Sequence, residues 1–325
     1  MTRRRPVSEA DGPRLDWSTW APADLPPLDD VEMWPNGPWN RLVVDEPVDA
    51  ALTAELDRLD RFFPPGGYWS RVRVNTGAVG RPGADAAVRS GVPYQRVDGE
   101  PVAGVWRSQV HLHGLRVDRV PLPRVIRRVG DPTVTGSDAQ WFGVDGARRQ
   151  LWEISAFGPS LLAGLFGASS GWQAGRVGCI DLDRRWQDQP HGVIAARIPL
   201  LPMLPRPEEF ARGHITHALQ LAAAGYSPDR PVGYARATDG TVKGHPLRAG
   251  QRLRLRHERM LELLDDHEGR RDVATLLVAL WEHGCVVCDR TTPSAGHSLR
   301  MPQTTQVDVA GLELDLGDFD AIVTI

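Results

Sequence analysis

The rhythm of apolar and polar positions changes several times along the chain. Residues 1 to about 33 are rich in Pro, Asp and Ala without a sustained period, which predicts a flexible or loosely docked N-terminal arm. Organisation begins at Pro38-Trp39-Asn40. From Asp49 onward, Leu52, Leu56, Leu59 and Phe63 recur at helical spacing, with Asp49 as the N-cap and Pro64-Pro65-Gly66-Gly67 as the stop. Between Tyr68 and Val134 the pattern shortens to alternating runs broken by Gly and Pro, among them Arg71 to Val74, Val92 to Tyr94 and Val110 to Leu115, all strand signals. Gln140 to Val144, then Asp145-Gly146, then Gln150 to Ser155 predict a hairpin whose Asp-Gly pair supplies the positive φ angles of a tight turn.

Trp172 to Asp181 reads as one further strand. Arg206-Pro207-Glu208-Glu209-Phe210 opens a helix, with Pro207 in the first turn and two glutamates at the positive end of its dipole, cut short at Gly213. His214 to Leu221 alternates, which predicts a strand with Ile215, His217, Leu219 and Leu221 on one face. Arg252-Leu253-Arg254-Leu255-Arg256 predicts a half-exposed strand. Val273, Leu276, Leu277 and Leu280 mark a helix ending at Gly284, and Cys285 to Asp289 an apolar strand after it. No internal repeat appears. The expected fold is mainly β, a sandwich or barrel-like domain with a few packed α-helices, formed by residues 34–325 as one unit.

With 325 residues the chain has length enough for a sizeable core, and 38 basic against 41 acidic residues leave a net charge of −3. No basic run interleaves with aromatics, so no nucleic-acid partner is expected. No apolar run is long enough to span a bilayer, and none follows the basic Arg3-Arg4-Arg5 opening as a secretory leader requires. The sequence as written predicts a cytoplasmic protein; removal of a leader or release by lysis would make it extracellular. Three cysteines, Cys179, Cys285 and Cys288, are too few for a disulfide framework. Trp (11) outnumbers Tyr (4), a balance that suits either core filling or stacking on flat ligands such as sugars.

Several segments, in order, resemble one family. Pro38-Trp39-Asn40-Arg41-Leu42-Val43 is followed by Pro47-Val48-Asp49, Gly91-Val92-Pro93-Tyr94, Gly136-Ser137-Asp138 and Leu151-Trp152-Glu153. The strongest block runs from Arg206 to Leu219 and includes Gly213-His214-Ile215-Thr216-His217-Ala218; Ala237-Thr238-Asp239-Gly240, Ala249 to Leu255 and a strand ending at Asp289 come after it. Together these resemble a largely uncharacterised, mostly secreted group of actinobacterial and phage-associated proteins. The resemblance implies a fold and a site location, and no particular reaction. This chain has Gln140 where relatives carry His, and Arg290-Thr291-Thr292-Pro293 where they are Gly-rich.

Five residues group as candidate catalytic groups: Asp138, Glu153, His217, Asp239 and Asp289. On a strand face otherwise apolar, His217 must find a partner, and a carboxylate among the other four would make it a general acid or base. The alternative is a core histidine bridging strands. Paired carboxylates can hydrolyse a glycosidic bond, one as proton donor and one as base or nucleophile. Trp141, Trp152 and Trp172 bracket the acids and are candidate sugar-stacking residues, with core filling as the alternative. His111-Leu112-His113 lacks a third ligand at a recognisable interval, and Cys285 and Cys288 read as buried thiols, so no metal is expected. No dinucleotide fingerprint or phosphate loop is present, and no cofactor is expected. The expected function is glycan-directed: a cofactor-independent glycoside hydrolase or lyase, or else a non-catalytic glycan-binding module of phage-tail or surface type. A third possibility is an intracellular enzyme of specialised metabolism. The partner is a glycan or small molecule.

Overall fold

A computed structural model describes residues 24–34, 36–62, 70–75, 91–107, 116–129, 139–160, 163, 168–189, 192–291, 296–304 and 306–323, with the backbone of 14–15. Asp138, His111, His113 and the segments Val110–Leu115 and Pro64–Gly67 lie outside the described residues. The chain is β-rich with a few packed helices, as its patterning predicts. In chain order the elements are β1 (Arg14–Leu15), α1 (Ala50–Leu56), β2 (Arg71–Asn75), β3 (Gln95–Arg96), β4 (Val102–Arg107), β5 (Arg116–Pro121), β6 (Val125–Ile126), β7 (Trp141–Asp145) and β8 (Gln150–Ser155). Then follow β9 (Gly158–Pro159), β10 (Trp172–Ala174), β11 (Arg176–Asp181), α2 (Pro207–Arg212), β12 (Leu219–Ala223), β13 (Arg252–Leu255), α3 (His257–Asp266) and α4 (Arg271–Glu282). The chain closes with β14 (Cys285–Arg290), β15 (His297–Arg300), β16 (Leu314–Asp315) and β17 (Phe319–Ala321). Among the described residues no helix is long and apolar enough to cross a membrane.

Seven strands form the main sheet, in the order β16-β2-β15-β12-β14-β13-β17, with β12 parallel to β14 at its centre. A second sheet, β11-β8-β7-β3, and a third, β5-β4-β10-β9, complete the body; β1 and β6 pair alone. The second sheet is apolar on both sides. Phe142, Val144 and Leu151 join the large core shared with the main sheet, while Trp141, Trp152 and Ile154 join a smaller core with Val105, Val120 and Trp172 of the third. Alternation along β7 and β8 thus distributes side chains between two cores, and neither face is left for solvent.

On the main sheet the alternation has a different outcome. Leu253 and Leu255 of β13 are fully buried, and Arg252 and Arg254 project to the opposite face. The expected half-exposed strand is corrected here: β13 lies between β14 and β17, and Arg252 is only 3% exposed. Among the described residues its guanidinium has no carboxylate within ion-pair distance. Nε donates to His283 O at 2.8 Å, Nη1 to Pro38 O at 3.0 Å, and Nη2 to Trp39 O, Arg41 O and His283 O at 3.2, 2.8 and 2.5 Å. Arg254 extends the grip, donating to Val43 O and Val44 O at 2.7 and 2.6 Å. The Pro38 to Val44 segment is held by its own carbonyls against the sheet and against the C-terminus of α4. Gly284 makes that junction tight: its φ is +69°, and a Cβ there would stand 2.1 Å from Leu253 O.

Several boundaries differ from the patterning. Residues 24–33 are not a loose arm. Leu25, Leu28, Val31 and Met33 enter the large core, Leu28 N donates to Glu208 Oε1 at 3.0 Å, and Asp29 and Asp30 pair with Arg212 and Arg96. Asp145-Gly146 is not a two-residue turn: 146–149 form the loop, Asp145 Oδ1 accepts from Arg148 N at 2.9 Å, and Arg149 takes the positive φ of 51°. Trp172 to Asp181 breaks at Gly175 into strands of two different sheets. His214 to Ala218 precedes the strand that begins at Leu219. Helix α3 is a further amphipathic helix that the patterning leaves unassigned, with Met260 and Leu263 buried and Leu264 packed against the large core.

Because one buried cation makes five hydrogen bonds, all to backbone carbonyls, Arg252→Met should lower unfolding free energy by about 3 kcal/mol or more. Arg252→Lys should recover part of that loss, as an ammonium offers three donors in place of five. Denaturant unfolding of the three proteins checks this; Arg252→Met within about 1 kcal/mol of wild type would mean that the carbonyls are resolvated without cost.

Candidate functional site

The residues grouped by sequence separate into three environments. His217 sits at the bend before β12, 3% exposed, and its partner is none of the three expected acids among the described residues, Glu153, Asp239 and Asp289. Nε2 lies 3.3 Å from Glu209 Oε2, and Nδ1 lies 3.0 Å from Ala218 O. Glu209 belongs to the first turn of α2 and is itself buried; Oε1 accepts from Arg206 Nη2 at 2.5 Å and Oε2 from Arg206 N at 2.8 Å. Burial acts to raise the Glu209 carboxyl, but His217 and Arg206 beside it outweigh that and hold it well below the usual carboxylate range. Both ring nitrogens of His217 face protein oxygens. With no ring nitrogen left for a ligand, His217 is a structural ion-pair partner that locks α2 to the start of β12.

Glu153 is also structural, for a different reason. It shares the β8 face of Leu151 and is fully buried. Oε1 accepts from Leu200 N at 2.6 Å and Leu201 N at 3.3 Å, and Oε2 accepts from Val193 N at 3.3 Å. Among the described residues no cation lies within ion-pair distance of it. Burial pushes its carboxyl up to about 7, against the three backbone N–H groups that favour the charged form. Glu153 therefore anchors the 192–201 loop to the second sheet.

Asp239 and Asp289 do come together, on a tyrosine that the patterning missed. Asp239 lies on the loop after β12, where Gly240 permits a close approach to Ser227 O, 2.1 Å from a Cβ position. Its Oδ1 accepts from the Tyr226 hydroxyl, and its Oδ2 lies 3.7 Å from Arg290 Nε. Asp289 ends β14, next to Ala222 of the parallel β12, and its Oδ2 accepts from Arg300 Nη2 at 2.7 Å. Arg290 Nη1 donates to Thr241 Oγ1 at 3.0 Å. The Asp239 side chain is 42% exposed and that of Asp289 15%. Burial raises the Asp289 carboxyl, Arg300 lowers it only in part, and Asp239 adds to the rise. Burial, the hydrogen bond to Asp239 and the charges of both aspartates push the Tyr226 hydroxyl far up, so it stays protonated.

The expected stacking residues fill the smaller core. Trp141, Trp152 and Trp172 are at most 8% exposed; Phe157 packs 5.8 Å from Trp141 and 4.7 Å from Trp172 between ring centroids. The aromatic pair nearer the surface is Trp186 with Tyr234, half-buried and edge-on at 5.7 Å, with the Arg236 guanidinium 5.5 Å from the Trp186 ring centre. Cys285 and Cys288 are fully buried free thiols; burial pushes Cys285 up to about 12 and Cys288 well above its ordinary value. Among the described residues no group of three or more His, Cys, Asp and Glu is arranged to hold a metal ion.

Comparison with family models, with curated proteins and with solved structures finds no match to this chain.

The His217–Glu209 assignment predicts a coupled stability loss. Glu209→Gln should cost about 3–5 kcal/mol, because Arg206 and His217 both lose their carboxylate, His217→Gln should cost less, because Glu209 keeps Arg206, and the double variant should cost clearly less than their sum. Since the Glu209 carboxyl is depressed in the folded state, its contribution is present above the ordinary glutamate range and is lost as pH falls below it. A double-mutant cycle by denaturant unfolding, repeated in acid, checks both; strictly additive losses would dissolve the pair.

Proposed function

We propose that this chain is a glycan-active protein whose working groups are Asp239 and Asp289, with Tyr226, Arg290, Arg300 and Thr241 around them. The observation that carries the reading is that two aspartates distant in sequence, one on the loop after β12 and one near the end of β14, both act on the Tyr226 hydroxyl. Their surroundings are unequal, as acid/base work on an acetal requires: one carboxylate largely in water, one mostly buried with its proton affinity raised. Asp289 would protonate the leaving oxygen, and Asp239, oriented by Tyr226, would act as base or nucleophile. Because Tyr226 keeps its proton, it is poorly suited to abstract one, which favours hydrolysis over elimination.

A second reading is a non-catalytic glycan-binding module. It draws support from the arginine beside each aspartate and from the half-buried Trp186–Tyr234 pair. Arginine–carboxylate pairs and aromatic faces both bind polyhydroxylated ligands without chemistry.

Peptidoglycan, chitin and soluble α- and β-glucans can be tested for release of reducing ends and for co-sedimentation. Asp239→Asn should reduce turnover by about 10²-fold or more while leaving the melting temperature nearly unchanged, since Asp239 is exposed. Asp289→Asn should reduce turnover and also stability, because Arg300 loses its partner. Binding without turnover, abolished by Trp186→Ala, would select the module. Neither binding nor turnover on any of these glycans would overturn the reading.

A further inference from the structure

The loop anchored by Glu153 also braces the proposed site. Ala196 N donates to Cys288 O at 2.9 Å, one residue before Asp289. Arg236 N, on the segment that carries Asp239, donates to Ala196 O at 2.9 Å. Pro199 O accepts from Gln220 Nε2 at 3.2 Å, so the loop also grips β12. A single buried carboxyl therefore connects the second sheet, through 192–201, to both strands and to the loop that present the two aspartates. We propose that loop 192–201 is a proton-controlled latch on the Asp239–Asp289 end of the main sheet, fastened while Glu153 is protonated and loosened when Glu153 ionises.

Full burial of Glu153, with no cation within ion-pair distance among the described residues, sets the sign. Phe142 of β7 and Gly178 of β11 flank Glu153 in register, and the loop meets it with Val193, Leu200 and Leu201, none of them titratable. Asp145, Cys179, Arg176 and Arg197, the nearest titratable residues along those elements, contribute nothing to the state of Glu153. Three N–H groups stabilise the carboxylate but do not replace its hydration, so the ionised form is relieved by opening the loop to water. An acid whose folded value lies above its unfolded one contributes stability at low pH and loses it as pH rises through the folded value. With Glu153 moved from 4.5 to about 7, the opening equilibrium should rise roughly 70-fold between about pH 5 and pH 8.

Amide hydrogen exchange on the whole chain tests the latch without any ligand, and so independently of the glycan reading on which its functional meaning rests. Protection of Val193, Leu200, Leu201, Ala196 and Arg236, corrected for intrinsic exchange, should fall together by tens-fold over that pH interval, and Glu153→Gln should flatten the dependence. Should Glu153→Gln fail to fold, carbon-13 titration of the Glu153 carboxyl in the wild type decides: a midpoint near neutrality supports the latch, and one near an ordinary glutamate overturns it. Loss of protection at Val193, Leu200 and Leu201 with Ala196 and Arg236 unmoved would also overturn it, because the loop would then open without reaching the site.

Discussion

The guanidinium of Arg252 is the fixed point of this structure. Its hydrogen bonds go to the carbonyls of Pro38, Trp39, Arg41 and His283. Burial lowers its proton affinity to about 10, yet the group remains charged at neutral pH and needs every one of those acceptors. The constraint runs both ways, since a segment without regular hydrogen bonding has carbonyls that must also be satisfied. Once the Pro38 to Arg41 backbone is caged, Trp39 O can accept from Ala218 N at 2.8 Å and Gly284 O from Leu219 N at 3.0 Å. The register of the central parallel pair, and with it the positions of His217 and Asp289, follows from where that cage sits.

Above this frame the second sheet acts as a wall with two dry sides. A strand exposed on one face can place a charge in water; β8 has no such face, so Glu153 has to be met by protein. What meets it is the backbone of an irregular loop, whose N–H groups lack partners of their own in a helix or sheet. Carboxylate and loop thus satisfy each other, and the three layers are tied by hydrogen bonds as well as by apolar packing.

Much of this architecture was legible in the sequence, and the exceptions have physical causes. The alternation Arg252-Leu253-Arg254-Leu255 identified a strand correctly, but alternation says only that two faces differ; it cannot tell water from a cage of carbonyls as the environment of the polar one. His217 was read as a strand residue because Ile215, Leu219 and Leu221 share its spacing. The true partner, Glu209, was assigned to the helix dipole because it is a helix-start residue, and first-turn acids are usually explained that way. Trp141 and Trp152 resemble ligand platforms to the same degree as core fillers until both faces of their sheet are known to be covered. Asp239 and Asp289 stand out in the sequence, one at a turn and one near a strand end, and both lie close enough to Tyr226 to act on its charge. Tyr226, Arg290 and Arg300 carry no local signal, since their role depends on pairings between β12, β14 and β15 that periodicity does not specify.

Three acids with little or no solvent show how the compensation chosen decides what a carboxyl can do. Glu209 has two cationic neighbours and a backbone N–H; its charge is over-compensated, its proton affinity falls, and it holds α2 to β12 as a permanent anion. Asp289 has one arginine and an aspartate nearby, so its proton affinity rises while the group stays reachable from solvent. Glu153 has only neutral N–H donors, which orient the carboxylate without cancelling the desolvation of its charge. A buried acid moves a proton at ordinary pH only when its compensation is incomplete. By that criterion Asp289 and Glu153 differ from Glu209 in kind: burial raises the proton affinity of both, because one arginine offsets it only in part at Asp289 and neutral N–H groups alone meet Glu153.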